Sequence, residues 1–112
     1  MSDAQILMVM SNVPDAVTAQ GLARLLVETK LAACVNILPG VQSVYLWQGQ
    51  IEQAEEVTLL IKTTREKYAQ LQQTLVDAHP YDVPEVIAWP LSEGYAPYLH
   101  WVVAETTSEK HA

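Results

Sequence analysis

The 112-residue chain has one cysteine, Cys34, only four glycines, and six lysines and arginines against thirteen aspartates and glutamates. A single cysteine rules out an internal disulfide framework and suits a reducing compartment. So few glycines, in a chain whose residues are 50% hydrophobic, exclude a disordered or low-complexity composition. The formal charge of −7, with no stretch rich in lysine or arginine, repels phosphate backbones, so nucleic acid is not an expected partner. The same excess gives divalent cations an attractive field. Also lacking are a basic-then-apolar leader with a small-residue cleavage site and any apolar run of membrane-spanning length; Ile6 to Met10 is far too short. The expectation is one domain over residues 1–112, with an ordered core from about 6 to 105, in the cytoplasm and without a membrane partner.

Periodicity then supplies the elements. Ile6 to Met10, ended by Ser11 and Asn12, reads as a strand buried on both faces. Pro14 and Asp15 suit a helix entry, and Ala19, Leu22, Ala23 and Leu26 keep helical spacing, which predicts an amphipathic helix from about Asp15 to Lys30. Ala33 to Leu38 and Val41 to Trp47 form one extended stretch broken by Pro39-Gly40, a signature of a bulge rather than a reversal. Gln48-Gly49 marks a hairpin, and Ile51 to Thr63 returns as a strand with a polar first half and an apolar second half. One end of this long hairpin therefore belongs to the core and the other projects beyond it.

Thr64 stands as an N-cap before a second helix carried by Tyr68, Leu71, Leu75 and Ala78, which His79-Pro80 stops. Pro84 to Pro90 reads as an edge strand bracketed by prolines, and Tyr98 to Glu105 as a short closing helix. The ends, Met1 to Ala4 and Thr106 to Ala112, are expected to fray. Strand, helix, strand, strand, helix, strand describes an α+β, ferredoxin-like split βαβ sandwich. With helices expected on one face only, the other face is either wet or covered by a partner, and the aromatic hairpin around Tyr45, Trp47 and Ile51 calls for a partner.

Four ordered stretches resemble the CutA divalent-cation-tolerance family: Leu31 to Gly40, Ser43 to Gly49, Leu60 to Thr64, and His79-Pro80-Tyr81-Asp82-Val83-Pro84-Glu85. The similarity runs from about Ile6 to Glu105. It implies a homotrimer in which long strands extend the sheets of neighbouring subunits. It also implies kinship with PII-type trimers, whose clefts between subunits bind small ligands. The family is associated with tolerance to copper and other divalent cations. Its bacterial copper site is described with a cysteine ending the first strand and a His-His pair before Pro-Tyr; here Ser11 and Ala78-His79 occupy those positions.

His79 and Glu85 are the candidate metal ligands, for Cu2+ or another divalent cation such as Zn2+, since neutral imidazole is the commonest protein ligand for both metals. The competing reading makes His79 a helix-terminating residue whose ring bonds a carbonyl or carboxylate. Cys34 reads as a buried thiol, or as a Cu(I) ligand if exposed. Tyr81, Pro84, Glu56 and Lys62 are the candidate cleft residues. Asp82 joins Tyr81 and Glu85 in a polar cluster that is otherwise a solvated loop. Lys62 is either an anion contact or a strand-end lysine, with Glu56 or Glu85 as the expected partner. Trp47, with Tyr45, is the candidate trimer anchor. Glu52, Glu55 and Glu56 form either a weak cation stripe or a solvated face.

No nucleophile–base pairing, phosphate loop or dinucleotide fingerprint is readable, so the expectation is a binding protein and not an enzyme. Two readings stand: a homotrimer that binds divalent metal, copper first, or a PII-like sensor that takes a small anionic ligand in the cleft.

Overall fold

The computed structural model describes residues 4–107. The elements are β1 (Ile6–Val13), α1 (Ala16–Glu28), β2 (Cys34–Trp47), β3 (Gln50–Thr64), α2 (Arg65–Ala78), β4 (Ile87–Pro90) and α3 (Ala96–Glu105). The strands form one sheet in the order β2-β3-β1-β4, every adjacent pair antiparallel. This is the ferredoxin-like α+β arrangement, with the hairpin inserted between two strand–helix halves.

The first strand is longer than its apolar run. Ser11, Asn12 and Val13 pair with Leu59, Thr58 and Val57, so ladder bonds to β3 carry β1 past the point where hydrophobicity stops. Its burial also alternates instead of being complete on both faces: Leu7, Val9, Ser11 and Val13 are buried, and Met8, Met10 and Asn12 are only half-buried. Helix α1 begins one residue after Asp15, whose carboxylate accepts from the Thr18 amide at 2.8 Å. It ends before Lys30, which takes a left-handed φ of 64° while its amide bonds the Val27 carbonyl. Lys30 thus closes the helix instead of continuing it. Thr64 does occupy the N-cap of α2 but makes no side-chain capping bond; the neighbouring Arg65 amide is held by the Gln5 carbonyl of the chain entering β1.

Ridges from α1 and α2 cover one face of the sheet. Leu22, Leu26, Leu71 and Leu75 meet Val9, Val13, Leu59 and Ile61 there in the principal core. The other face is not bare as expected. Ile6, Ala33 and Val102 form a smaller core with Leu91, Leu99 and Val103, so α3 covers one end of that face. Thr106, expected to fray, is buried instead, its hydroxyl donating to the Val102 carbonyl at 2.9 Å. The rest of the C-terminal call, from Ser108 on and including His111, lies outside the described residues.

Pro39-Gly40 is a bulge: the β2–β3 register shifts between Leu38 and Val41, and Gly40 has a φ of 77° that an L side chain rarely adopts. At the far end Gln48 and Gly49 both have positive φ, the requirement of a two-residue type I′ turn whose twist matches the strands. Between these two devices the hairpin leaves the core, and Val44, Leu46 and Ile51 stand exposed on it. The edge strand β4 is shorter than its sequence signature. Ladder pairing reaches only Ile87 opposite Met10, and the loop from His79 to Val86 rounds the end of β1 instead.

Candidate functional site

The last turn of α2 delivers His79 to the end of β1, where the sheet has no helix over its second face. His79 is 8% exposed, and both ring nitrogens are engaged. Nε2 bonds the Asn12 carbonyl at 2.9 Å, and Nδ1 accepts from the Tyr81 amide at 3.2 Å. A carbonyl only accepts, so Nε2 is the donor of the first bond and Nδ1 the acceptor of the second. His79 therefore stitches the loop to the strand.

Asn12 is the hub of this corner. Its side-chain amide donates to Glu85 Oε1 at 3.0 Å, and its Oδ1 accepts from the Thr58 hydroxyl at 2.6 Å. Tyr81 packs on the His79 ring, centroids 4.8 Å apart, and donates its phenolic hydrogen to Glu56 Oε2 at 2.8 Å. Burial, reinforced by the Glu56 carboxylate, pushes the Tyr81 hydroxyl well above its ordinary range, so it remains a donor at neutral pH. Glu56 is only 7% exposed.

A cleft of about 840 Å³ opens between this loop and the hairpin. Glu52, Glu56, Asp82 and Glu85 line it, Tyr45, Trp47 and Tyr81 supply aromatic walls, and no lysine or arginine among the described residues lines it. Strand alternation explains the acidic wall. Glu52 and Glu56 lie on the same face of β3 because they are an even number of residues apart, whereas Glu55 points to the opposite face. Of the three glutamates read as either a weak cation stripe or a solvated face, only Glu52 and Glu56 therefore share the cleft wall.

The other candidates divide in two groups. Glu56, Tyr81 and Glu85 meet at the cleft, with Tyr45 and Trp47 on its hairpin side. Pro84 is half-buried in the same loop and is not part of the cleft wall. Lys62 is elsewhere. It pairs neither with Glu56 nor with Glu85; its ammonium donates to Asn36 Oδ1 and lies 3.7 Å from Cys34 Sγ. Six residues of extended strand separate Lys62 from Glu56, roughly 20 Å, which no side-chain reach closes. Cys34 is half-buried under α3, beside Tyr98, whose hydroxyl is raised by burial and then by the thiol.

Ser11, at the strand-end position, is fully buried on the helix-covered face and its hydroxyl has no partner among the described residues. The neighbouring Asn12 faces the cleft. His79 and Glu85 do not face each other but are joined through Asn12, and no group of three or more His, Cys, Asp or Glu side chains stands ready for a metal among the described residues. The described residues of a single chain therefore hold no preformed coordination centre. Asn12 and Glu52 are the cleft residues that the sequence reading missed or left unassigned.

Together these features define a ferredoxin-like α+β domain with an acidic, aromatic-walled cleft between a projecting hairpin and the loop after its second helix. The chain belongs to the CutA1 divalent ion tolerance family, whose model, described as "CutA1 divalent ion tolerance protein", matches residues 7–105. It is 44% identical over 98 residues to the divalent-cation tolerance protein CutA of Thermus thermophilus, covering 88% of this chain and 95% of that protein. It is 45% identical over 95 residues to protein CutA of Mus musculus, covering 85% of this chain and 54% of that protein. The crystal structure of CutA1 from Oryza sativa superposes with a TM-score of 0.90 at 39% identity, covering 94% of this chain and 96% of that chain. Among the described residues no helix is long and apolar enough to cross a membrane.

Proposed function

We propose that this protein acts in divalent-cation tolerance as a homotrimer that binds copper, or another divalent cation such as zinc, at the cleft. One observation carries the reading: among the described residues, four carboxylates and no lysine or arginine line the cleft, so its field selects a positive ligand. The same observation weighs against the anionic-ligand alternative, because Lys62 is bonded to Asn36 outside the cleft. The ion is placed at Glu85 beside His79. For His79 to take part, Nδ1 gives up the Tyr81 amide; the remaining ligands come from the neighbouring carboxylates and from the assembly.

The trimer reading rests on surface chemistry. Leu46, Ile51 and Trp47 on the hairpin, and Ile87 and Trp89 on the edge strand, are exposed. Uncovered apolar strands of this kind are aggregation-prone unless another copy covers them. The lone Cys34 supports a cytoplasmic location. Calorimetric titration of chelator-stripped protein with Cu(II) and Zn(II) tests the metal reading. One saturable site per subunit, weakened by His79→Ala and by Glu85→Gln, is expected. Heats that never saturate and do not change in either variant would remove the metal site.

A further inference from the structure

His79 is held in the bonding pattern of a metal-ligating histidine. Such residues donate one ring N–H to a carbonyl, carboxylate or water, and the other nitrogen gives its lone pair to the ion. Here Nε2 donates to the Asn12 carbonyl, which fixes Nδ1 as the accepting nitrogen. Its lone pair is already taken by the Tyr81 amide at 3.2 Å. A ring nitrogen has one lone pair in its plane, so the amide hydrogen and a cation exclude each other there.

Tyr81 secures that amide at two further points. Its ring packs against the imidazole, and its phenol donates to Glu56, a carboxylate only 7% exposed. The flanking Pro80, Asp82 and Val83 are exposed, so Tyr81 fastens the middle of the loop to the body of the domain. The far end is tied separately, by Glu85 to the Asn12 side chain. Moving the amide off Nδ1 carries the Tyr81 ring and phenol with it. That movement breaks the bond to Glu56 and leaves a buried carboxylate to find water.

We infer that Tyr81 is an autoinhibitory latch on His79: its amide caps the nitrogen that a cation needs, and its phenol, anchored on Glu56, keeps the cap closed. Cations bind the fraction of molecules whose loop is unlatched, so the apparent affinity falls below the intrinsic one by that fraction. Tyr81 thereby sets the free-cation concentration at which the site fills. This inference rests on the proposed part of His79 in cation binding and concerns the regulation of that site.

The test titrates Zn(II) into the intact, chelator-stripped protein at one fixed neutral pH, and follows hydrogen exchange at the amide of residue 81 with and without zinc. Tyr81→Phe should bind zinc about tenfold more tightly than wild type, the effect of losing one bond to a buried carboxylate in the closed state. A residue that ligated the ion, or only supported the fold, would give a loss instead. Tyr68→Phe, which removes a phenol bonded to Gln72 on α2, should leave the affinity unchanged. In wild type the residue 81 amide should be protected without zinc and exchange faster once zinc is bound. Zinc bound equally or more weakly by Tyr81→Phe sinks this inference and leaves the metal reading standing. An amide that stays protected with zinc bound also overturns it, and removes His79 from the ligand set. Zinc bound by Tyr81→Phe but not measurably by wild type upholds the latch. Zinc bound by neither protein removes the metal reading and the latch with it.

Discussion

Tyr81 donates its phenolic hydrogen to Glu56 across 2.8 Å, joining the loop after α2 to the middle of β3. Because Glu56 is buried, removing the donor leaves a carboxylate oxygen without a partner. Tyr81→Phe should cost about 1–3 kcal/mol of stability, read as a lower midpoint in urea with an unchanged slope. A midpoint equal to wild type would mean that water replaces the phenol freely.

The same bond sets an alkaline limit. The folded Tyr81 hydroxyl titrates above the ordinary value of 10.0, as does that of Tyr98, so the folded state holds these protons more tightly than the unfolded chain. Their stabilising contribution is complete below about pH 10 and is lost as pH rises toward the folded values. Unfolding midpoints measured from pH 8 to 11 should fall at the upper end, and less steeply in Tyr81→Phe.

At the acidic end the sign reverses. Two hydrogen bonds from Thr18, its backbone amide first, hold the Asp15 carboxyl below its ordinary range. That contribution is present above the unfolded carboxylate pKa and disappears as pH falls through the lower, folded one. Asp15→Ala should lower the melting temperature by a few degrees at neutral pH, with the difference closing in strong acid. Equal melting temperatures at pH 7 would show the cap to be inconsequential.

Ser11 offers an opposite test. Its hydroxyl is buried without a partner among the described residues, so Ser11→Ala removes a polar atom and little volume. The change should be neutral or stabilise by up to about 1 kcal/mol. A loss of more than that would point to an ordered water or a bond within the core.

Trp47 is 40% exposed on the hairpin. Under the proposed trimer, Trp47→Ala should weaken assembly by about 2 kcal/mol or more, seen as dissociation at low concentration in sedimentation. An assembly unchanged on dilution would remove Trp47 as an anchor.

Much of the architecture is written locally. Ala19, Leu22 and Leu26 specify α1 by their spacing, Gln48-Gly49 by its turn chemistry, and Pro39-Gly40 by its incompatibility with an unbroken ladder. Each of these depends on residues within a few positions of one another, so sequence order is enough to read it. Element ends were less legible where distant pairing decides them: β1 runs to Val13 because β3 is there to bond it, and β4 starts only at Ile87 because the preceding loop is committed to His79, Tyr81 and Glu85.

The motif His79 to Glu85 and the acidic run at residues 52–56 were visible in the sequence by themselves, as was the net negative charge. What each group does was decided only by tertiary structure. Asn12 lies 67 residues from His79 and 73 from Glu85, yet it bonds both. Lys62 meets Asn36 rather than Glu56, Glu55 turns away from Glu52 and Glu56, and both His79 nitrogens are spent on the backbone. The physical reason is that hydrogen bonds act over about 3 Å and strand alternation sends neighbours to opposite faces, so chemistry at this site follows distance in space and parity along a strand, neither of which proximity in sequence supplies.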